Sequence, residues 1–193
     1  MKKAKSSLPN EYKLHLCVDL QKDKKLSIFI NLFAILVVIA MAVPMHFAIP
    51  IVTLFDISQG MFLYFIRFGV LLFGIIFYMV LHESVHGIAM KLCGTKKVKY
   101  GFTGLYAFAG STDYYSKASY IFIALSPVVL LGIILLIVNL FVSNSWFWVV
   151  YIIQILNISG AVGDAYVTVR FAKSPKDILI QDSGTAMTVY IKE

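Results

Sequence analysis

Residues 61–92 read MFLYFIRFGVLLFGIIFYMVLHESVHGIAMKL, and this stretch decides the fold. Between Met61 and Leu81 the only charged residue is Arg67, and a helix of this length crosses a hydrocarbon layer roughly 30 Å thick. The run ends on His82-Glu83-Ser84-Val85-His86, a match to H-E-x-x-H. Residues four apart share one helix face, so both imidazoles can reach one metal ion. Glu83 then lies where a general base for an attacking water belongs. Ionisable groups this dense are costly at membrane depth, and intramembrane ionisable residues mark functional sites.

Outward from this stretch the composition agrees. The 193 residues are 60% hydrophobic and 14% charged, against about 45–50% apolar and 25% charged in soluble domains. The net charge of +7 does not point to nucleic acid, because the basic residues are grouped. Lys2, Lys3, Lys5, Lys13, Lys22, Lys24 and Lys25 precede the first apolar span; Lys91, Lys96, Lys97, Lys99 and Lys117 separate the second and third; Arg170, Lys173, Lys176 and Lys192 follow the last. That is a positive-inside pattern, with anionic lipid as the natural partner at the cytoplasmic face. Cys17 and Cys93 fall on the same reducing side and predict no disulfide. The polar N-terminus does not resemble a cleaved signal peptide.

Apolar runs predict spans at about 26–50, 61–92, 118–142 and 146–171. Pro44 and Pro127 should kink the first and third, Gly94 should cap the second, and Arg67 should snorkel to the outer interface. Trp146 and Trp148 suit an interfacial belt. Alternating residues from Tyr12 to Leu20 predict a strand, and 177–182 a second one. Lys96 to Tyr100, with Leu105 to Ala109 after Gly101 and Gly104, predict a hairpin. The expected fold is a membrane all-α unit covering 1–193. It has four transmembrane helices, a short cytoplasmic β-hairpin between helices 2 and 3, and both termini cytoplasmic (1–27 and 172–193).

A zinc site needs a third protein ligand. No histidine follows His86, and the only glutamate after Glu83 is Glu193. Candidates are Asp164, Asp113, Cys93, His46 and the sequence-distant Asp177 and Asp182. Spans two and four run in the same direction. His82 to His86 lie roughly 8–14 Å before the Lys91 flank, and Asp164 roughly 9 Å before Arg170, at 1.5 Å per residue. The matched depth favours Asp164; Asp113, on a loop facing the same side, is the rival. His46 reads as interfacial, and His15 as a solvated strand residue. Asn157, two turns before Asp164, could orient substrate, stabilise an oxyanion or bond another helix. Gly160 and Gly163 should let span four approach span two closely. The hairpin could offer an edge to an extended peptide. Tyr114 and Tyr115 are candidates for lining a substrate entry.

His82 to Gly87 in one span and Asn157 to Asp164 in a later one resemble the site-two protease class of intramembrane metalloproteases. A closer resemblance, over most of the chain, is to a bacterial family of zincin-type peptidases of unknown function. It includes the Ser126-Pro127 helix after a short hairpin and the polar tail from Pro175-Lys176-Asp177 to Asp182. The chain departs from site-two proteases in having Gly163-Asp164-Ala165 without proline or a Leu-Asp-Gly signature. Its Asn and Asp are also one residue closer.

The resemblance implies Zn²⁺ held by His82, His86 and Asp164, with Glu83 as base. It implies a multi-pass protein of the bacterial cell membrane that hydrolyses peptide or membrane-protein substrates. Two other classes remain open: a catalytically silent membrane scaffold or chaperone, and a small metal or ion transporter. The intact Glu83 weighs against the first. Clustering of ionisable groups at one depth weighs against the second.

Overall fold

The computed structural model describes residues 3–104 and 106–192, so Lys2, Glu193 and the Leu105 end of the predicted hairpin strand lie outside the described residues. Helices dominate. Helix α1 (Lys24–Ala48) starts where the Asp23 carboxylate accepts the Leu26 N–H, 3.0 Å away. Helix α2 (Met61–Leu92) ends in a Schellman motif, in which the Gly94 N–H bonds the Lys91 carbonyl and the Thr95 N–H that of Met90. Gly94 takes φ +100°, so its lack of Cβ is required there.

Three further helices follow: α3 (Lys117–Phe141), α4 (Asn144–Gly160) and α5 (Val162–Ala172). Counting 144–172 as one span, four helices are long and apolar enough to cross a membrane, as the hydropathy pattern predicts. The fourth is not continuous as expected, because it breaks at Ala161 into α4 and α5. Helix α1 buries none of its residues against the protein, as befits a helix solvated by lipid.

The all-α expectation needs a correction. Strands β1 (Tyr12–Asp19), β4 (Tyr114–Ser116), β5 (Ile178–Asp182) and β6 (Ala186–Lys192) form one antiparallel sheet in the order β1-β6-β5-β4. Both terminal segments therefore fold onto one end of the helices. The sequence marked β1 and β5 as strands but not β6, which lies between them; the β1–β6 pairing spans more than 160 residues of sequence and no local signal carries it. The predicted hairpin is present as β2 (Lys99–Phe102) and β3 (Ala107–Gly110), a separate two-stranded sheet.

One buried cluster joins the sheet to the helices through Val18, Met90, Tyr120, Val167, Phe171 and Ile180. A second, at the other end, centres on Leu54, Leu71, Trp148 and Val149. Two residues assigned to the interface belong to that far end's interior instead. Trp148 is buried and donates its indole N–H to the Ile49 carbonyl at 2.9 Å. Arg67 is fully buried and its guanidinium donates to the backbone carbonyls of Thr53, Asp56 and Ser145. It does not snorkel, because carbonyls from the segment between α1 and α2 and from the first turn of α4 replace the water that snorkelling would seek.

The close helix approaches also differ from expectation. Gly160 faces open space and Gly163 meets only Leu20. A Cβ on Gly74 would instead come within 2.7 Å of Ile153, and one on Gly132 within 3.1 Å of Asn157. Those two glycines set the contacts of α4 with α2 and α3.

Candidate metal centre

On α2, His82 and His86 stack edge to face with ring centroids 5.0 Å apart. Each ring is fixed through its Nδ1. The His86 Nδ1–H donates to the Ile123 carbonyl at 2.9 Å. That carbonyl is available because its helical partner four residues on is Pro127, which has no N–H. The Ser126 hydroxyl bonds the same oxygen at 2.9 Å. The proline expected as a kink thus has a chemical role: it frees an acceptor for a histidine.

His82 is fixed by a longer relay. The Asn157 amide donates to the Val128 carbonyl at 3.1 Å, and its Oδ1 accepts the Tyr78 hydroxyl at 3.3 Å. The Tyr78 oxygen is then left to accept the His82 Nδ1–H, 2.9 Å away. With Nδ1 committed in each ring, Nε2 is the atom left to bind a ligand. Those nitrogens converge on one carboxylate: Asp164 Oδ2 lies 3.6 Å from His82 Nε2 and 3.7 Å from His86 Nε2.

His82, His86 and Asp164 place their ligand atoms within 4.8 Å of one another. A tetrahedral zinc with bonds near 2.1 Å separates its ligand atoms by roughly 3.4 Å. The donor set therefore fits zinc by distance, by atom type and by the hydrogen bonds orienting the rings. Asp164 sits in the first turn of α5, just past the break, so the interruption at Ala161 is what turns it toward α2.

A cavity of about 660 Å³ adjoins these three residues. Glu83 lines it, and its carboxylate accepts the Ala109 N–H of β3. Gly160 and Gly163, whose hydrogen side chains leave room there, line it too. Helix α1 packs on α4 and α5, and α2 on α3 and α4. The cavity reaches the surface between α1 and α2, at the exposed Asn31 and Met79.

Other sequence candidates lie elsewhere. Asp113 lines no part of the cavity, and its N–H is held by the Ser111 hydroxyl at 3.1 Å. His46 accepts the Ile51 N–H at 3.1 Å, and His15 is exposed on β1. Tyr115 is buried against Thr95 and Ser111, and Tyr114 packs on Tyr190, so neither lines the cavity. Asn157 is fully buried and outside the cavity lining; it bonds another helix and supports His82.

Sequence reading missed Tyr78 and Tyr120, and named Asp182 only as a distant candidate ligand. Tyr78 lies one turn before His82 on the same face, a spacing that could have flagged it. Tyr120 and Asp182 line the cavity and hydrogen-bond each other, although Asp182 is distant in sequence. Asp182 Oδ1 also accepts the Gly184 N–H at 2.8 Å. Burial holds its carboxyl up at about 6.

No solved structure matches this chain. Over 118 residues it is 30% identical to the "Uncharacterized 24.7 kDa protein in gap 5'region" of Pyrococcus woesei, an alignment covering 58% of this chain. It takes in 51% of that protein, so the chain spans about half the length of the curated relative it matches. Residues 75–179 hold α2 from just before Tyr78, the hairpin, α3, α4, α5 and Asp164, and they match a family described as "Putative zincin peptidase". The match covers more than half of the chain, which belongs to that family.

Proposed function

We propose that this chain is a membrane-embedded zinc metallopeptidase that hydrolyses peptide bonds in or near the bilayer, on its cytoplasmic side. The observation carrying this reading is the convergence of His82 Nε2, His86 Nε2 and the Asp164 carboxylate beside Glu83, in a cavity reaching the surface between two lipid-facing helices. The basic flanks of the helices support N-in, C-in placement in a cell membrane, with the site toward the cytoplasmic leaflet.

His82, His86 and Asp164 would hold the ion, and bound zinc supplies Lewis acidity at the scissile carbonyl. Glu83 takes a proton from the attacking water and returns it to the leaving amine. The N–H of Ala109 holds the Glu83 carboxylate in place for both transfers. Strand β3 offers the route for substrate. Phe108 faces Gly101 and Gly110 faces Lys99 across the hairpin, while Ala109 directs its N–H away from β2 toward Glu83. The outer edge of β3 therefore runs along the cavity, where an extended peptide can add as a further strand.

Glu83→Gln is the decisive variant. It should keep one zinc per chain by metal analysis and lower the cleavage rate of a membrane-peptide substrate about 10²–10⁴-fold. Cleavage by this variant at the wild-type rate would remove Glu83 from the mechanism. Zinc uptake into vesicles without hydrolysis would favour a transporter instead.

A further inference from the structure

Helix α5 has two working faces. Asp164 points into the cavity, while Val162, Tyr166, Val169 and Lys173 follow one another at helical spacing along another face. With Phe29 and Phe33 of α1 they wall a second groove of about 520 Å³. The two phenyl rings stack at 6.4 Å, and Phe29 and Val169 remain more than half exposed.

One end of this apolar groove carries Arg170 and Lys173. Arg170 lies six residues beyond Asp164, roughly 9 Å along the helix, at the basic end where α1 begins with Lys24 and Lys25. Its Nη1 donates to the Tyr166 hydroxyl at 2.6 Å, and its guanidinium sits 5.8 Å from that ring's centroid. Among the described residues neither cation has a carboxylate within salt-bridge distance. A fork of free N–H donors and an ammonium group thus stand at the mouth of a hydrocarbon-lined slot.

We propose that the α1–α5 groove binds one anionic phospholipid, its acyl chain against Phe29, Phe33 and Val169 and its phosphate at Arg170 and Lys173. The two cations, with no carboxylate among the described residues within salt-bridge distance, select an anionic lipid over a zwitterionic one. The site uses no residue of the proposed zinc centre, so it can fail or hold without touching that reading.

The test is lipid retention by the purified full chain, measured by native mass spectrometry after exchange into detergent with defined lipid. Wild type should retain phosphatidylglycerol about tenfold better than phosphatidylcholine. Arg170→Ala/Lys173→Ala should lose that preference, bringing the ratio of the two lipids close to one, because juxtamembrane cations supply the attraction to anionic lipid. Phe33→Trp should report the acyl chain, its fluorescence quenched by lipid brominated in the chain and less so in the double variant. Equal retention of the two lipids by wild type overturns the proposal. So does unchanged preference in a double variant with native circular dichroism, or equal displacement by free glycerol phosphate.

Discussion

Helix α2 buries charge-bearing side chains at both of its ends, and the two ends use them differently. At one end the Arg67 guanidinium is enclosed by carbonyls of Thr53, Asp56 and Ser145 and lines no part of the cavity at the metal centre. At the other, the Nδ1 atoms of His82 and His86 are equally well bonded, yet both Nε2 atoms face Asp164 beside open volume. Burial and hydrogen bonding alone do not separate a structural polar residue from a chemical one. What separates them is coordinating capacity left unused next to space for a ligand.

The contrast can be broken most sharply by Asp164→Ala against Arg67→Met. Asp164→Ala should leave a folded chain that has lost its zinc, measured as metal per chain after gel filtration. Full zinc occupancy in that variant would move the third ligand elsewhere. Arg67→Met should keep zinc in the folded fraction but lower stability, because three carbonyls lose their donor; the cost is on the order of 3 kcal/mol by denaturation in detergent. An unchanged midpoint would show that the loops satisfy themselves without it.

Asp182 sharpens the comparison from the sheet side. Burial raises its carboxyl from 3.8 to about 6, so between those values the folded chain keeps a proton the unfolded chain has released. Its contribution to stability is therefore full below about pH 4 and falls as pH rises to about 6. The total amounts to about 2–3 kcal/mol, and Asp182→Asn should level that slope. The smallest effect should come from Pro127→Ala. A restored N–H at 127 would compete for the Ile123 carbonyl that orients His86, weakening zinc affinity about tenfold in competition with a chelator.

Much of this molecule is legible along the chain because bilayer crossing is a local property. Hydropathy alone marks four candidate spans, and the grouped basic residues predict a common direction for α2 and α4–α5. That direction put Asp164 at the depth of His82 and His86 before any contact was visible. The error over Arg67 has the same root, since snorkelling is the expectation for a helix in lipid with no loops folded over it. Trp148 failed likewise: an aromatic near a span end suits the interface until Ile49 supplies its indole with a buried acceptor.

By itself, then, the sequence determined the four apolar spans and the spacing of His82, Glu83 and His86 on one face, and it marked Asp164 as the favoured partner of the two histidines. These follow from a 1.5 Å rise, a fixed membrane thickness and the solvation cost of charge, none of which needs a partner helix. Tertiary structure alone decided which nitrogen of each histidine is free, through Ile123, Tyr78 and Asn157. It alone brought Asp182 and β3 to the cavity, by pairing a tail strand with a short strand before α3 and by laying the hairpin on α2. Hydrogen-bond direction and long-range strand pairing depend on atoms dozens of residues away, and no local pattern encodes where those atoms will be.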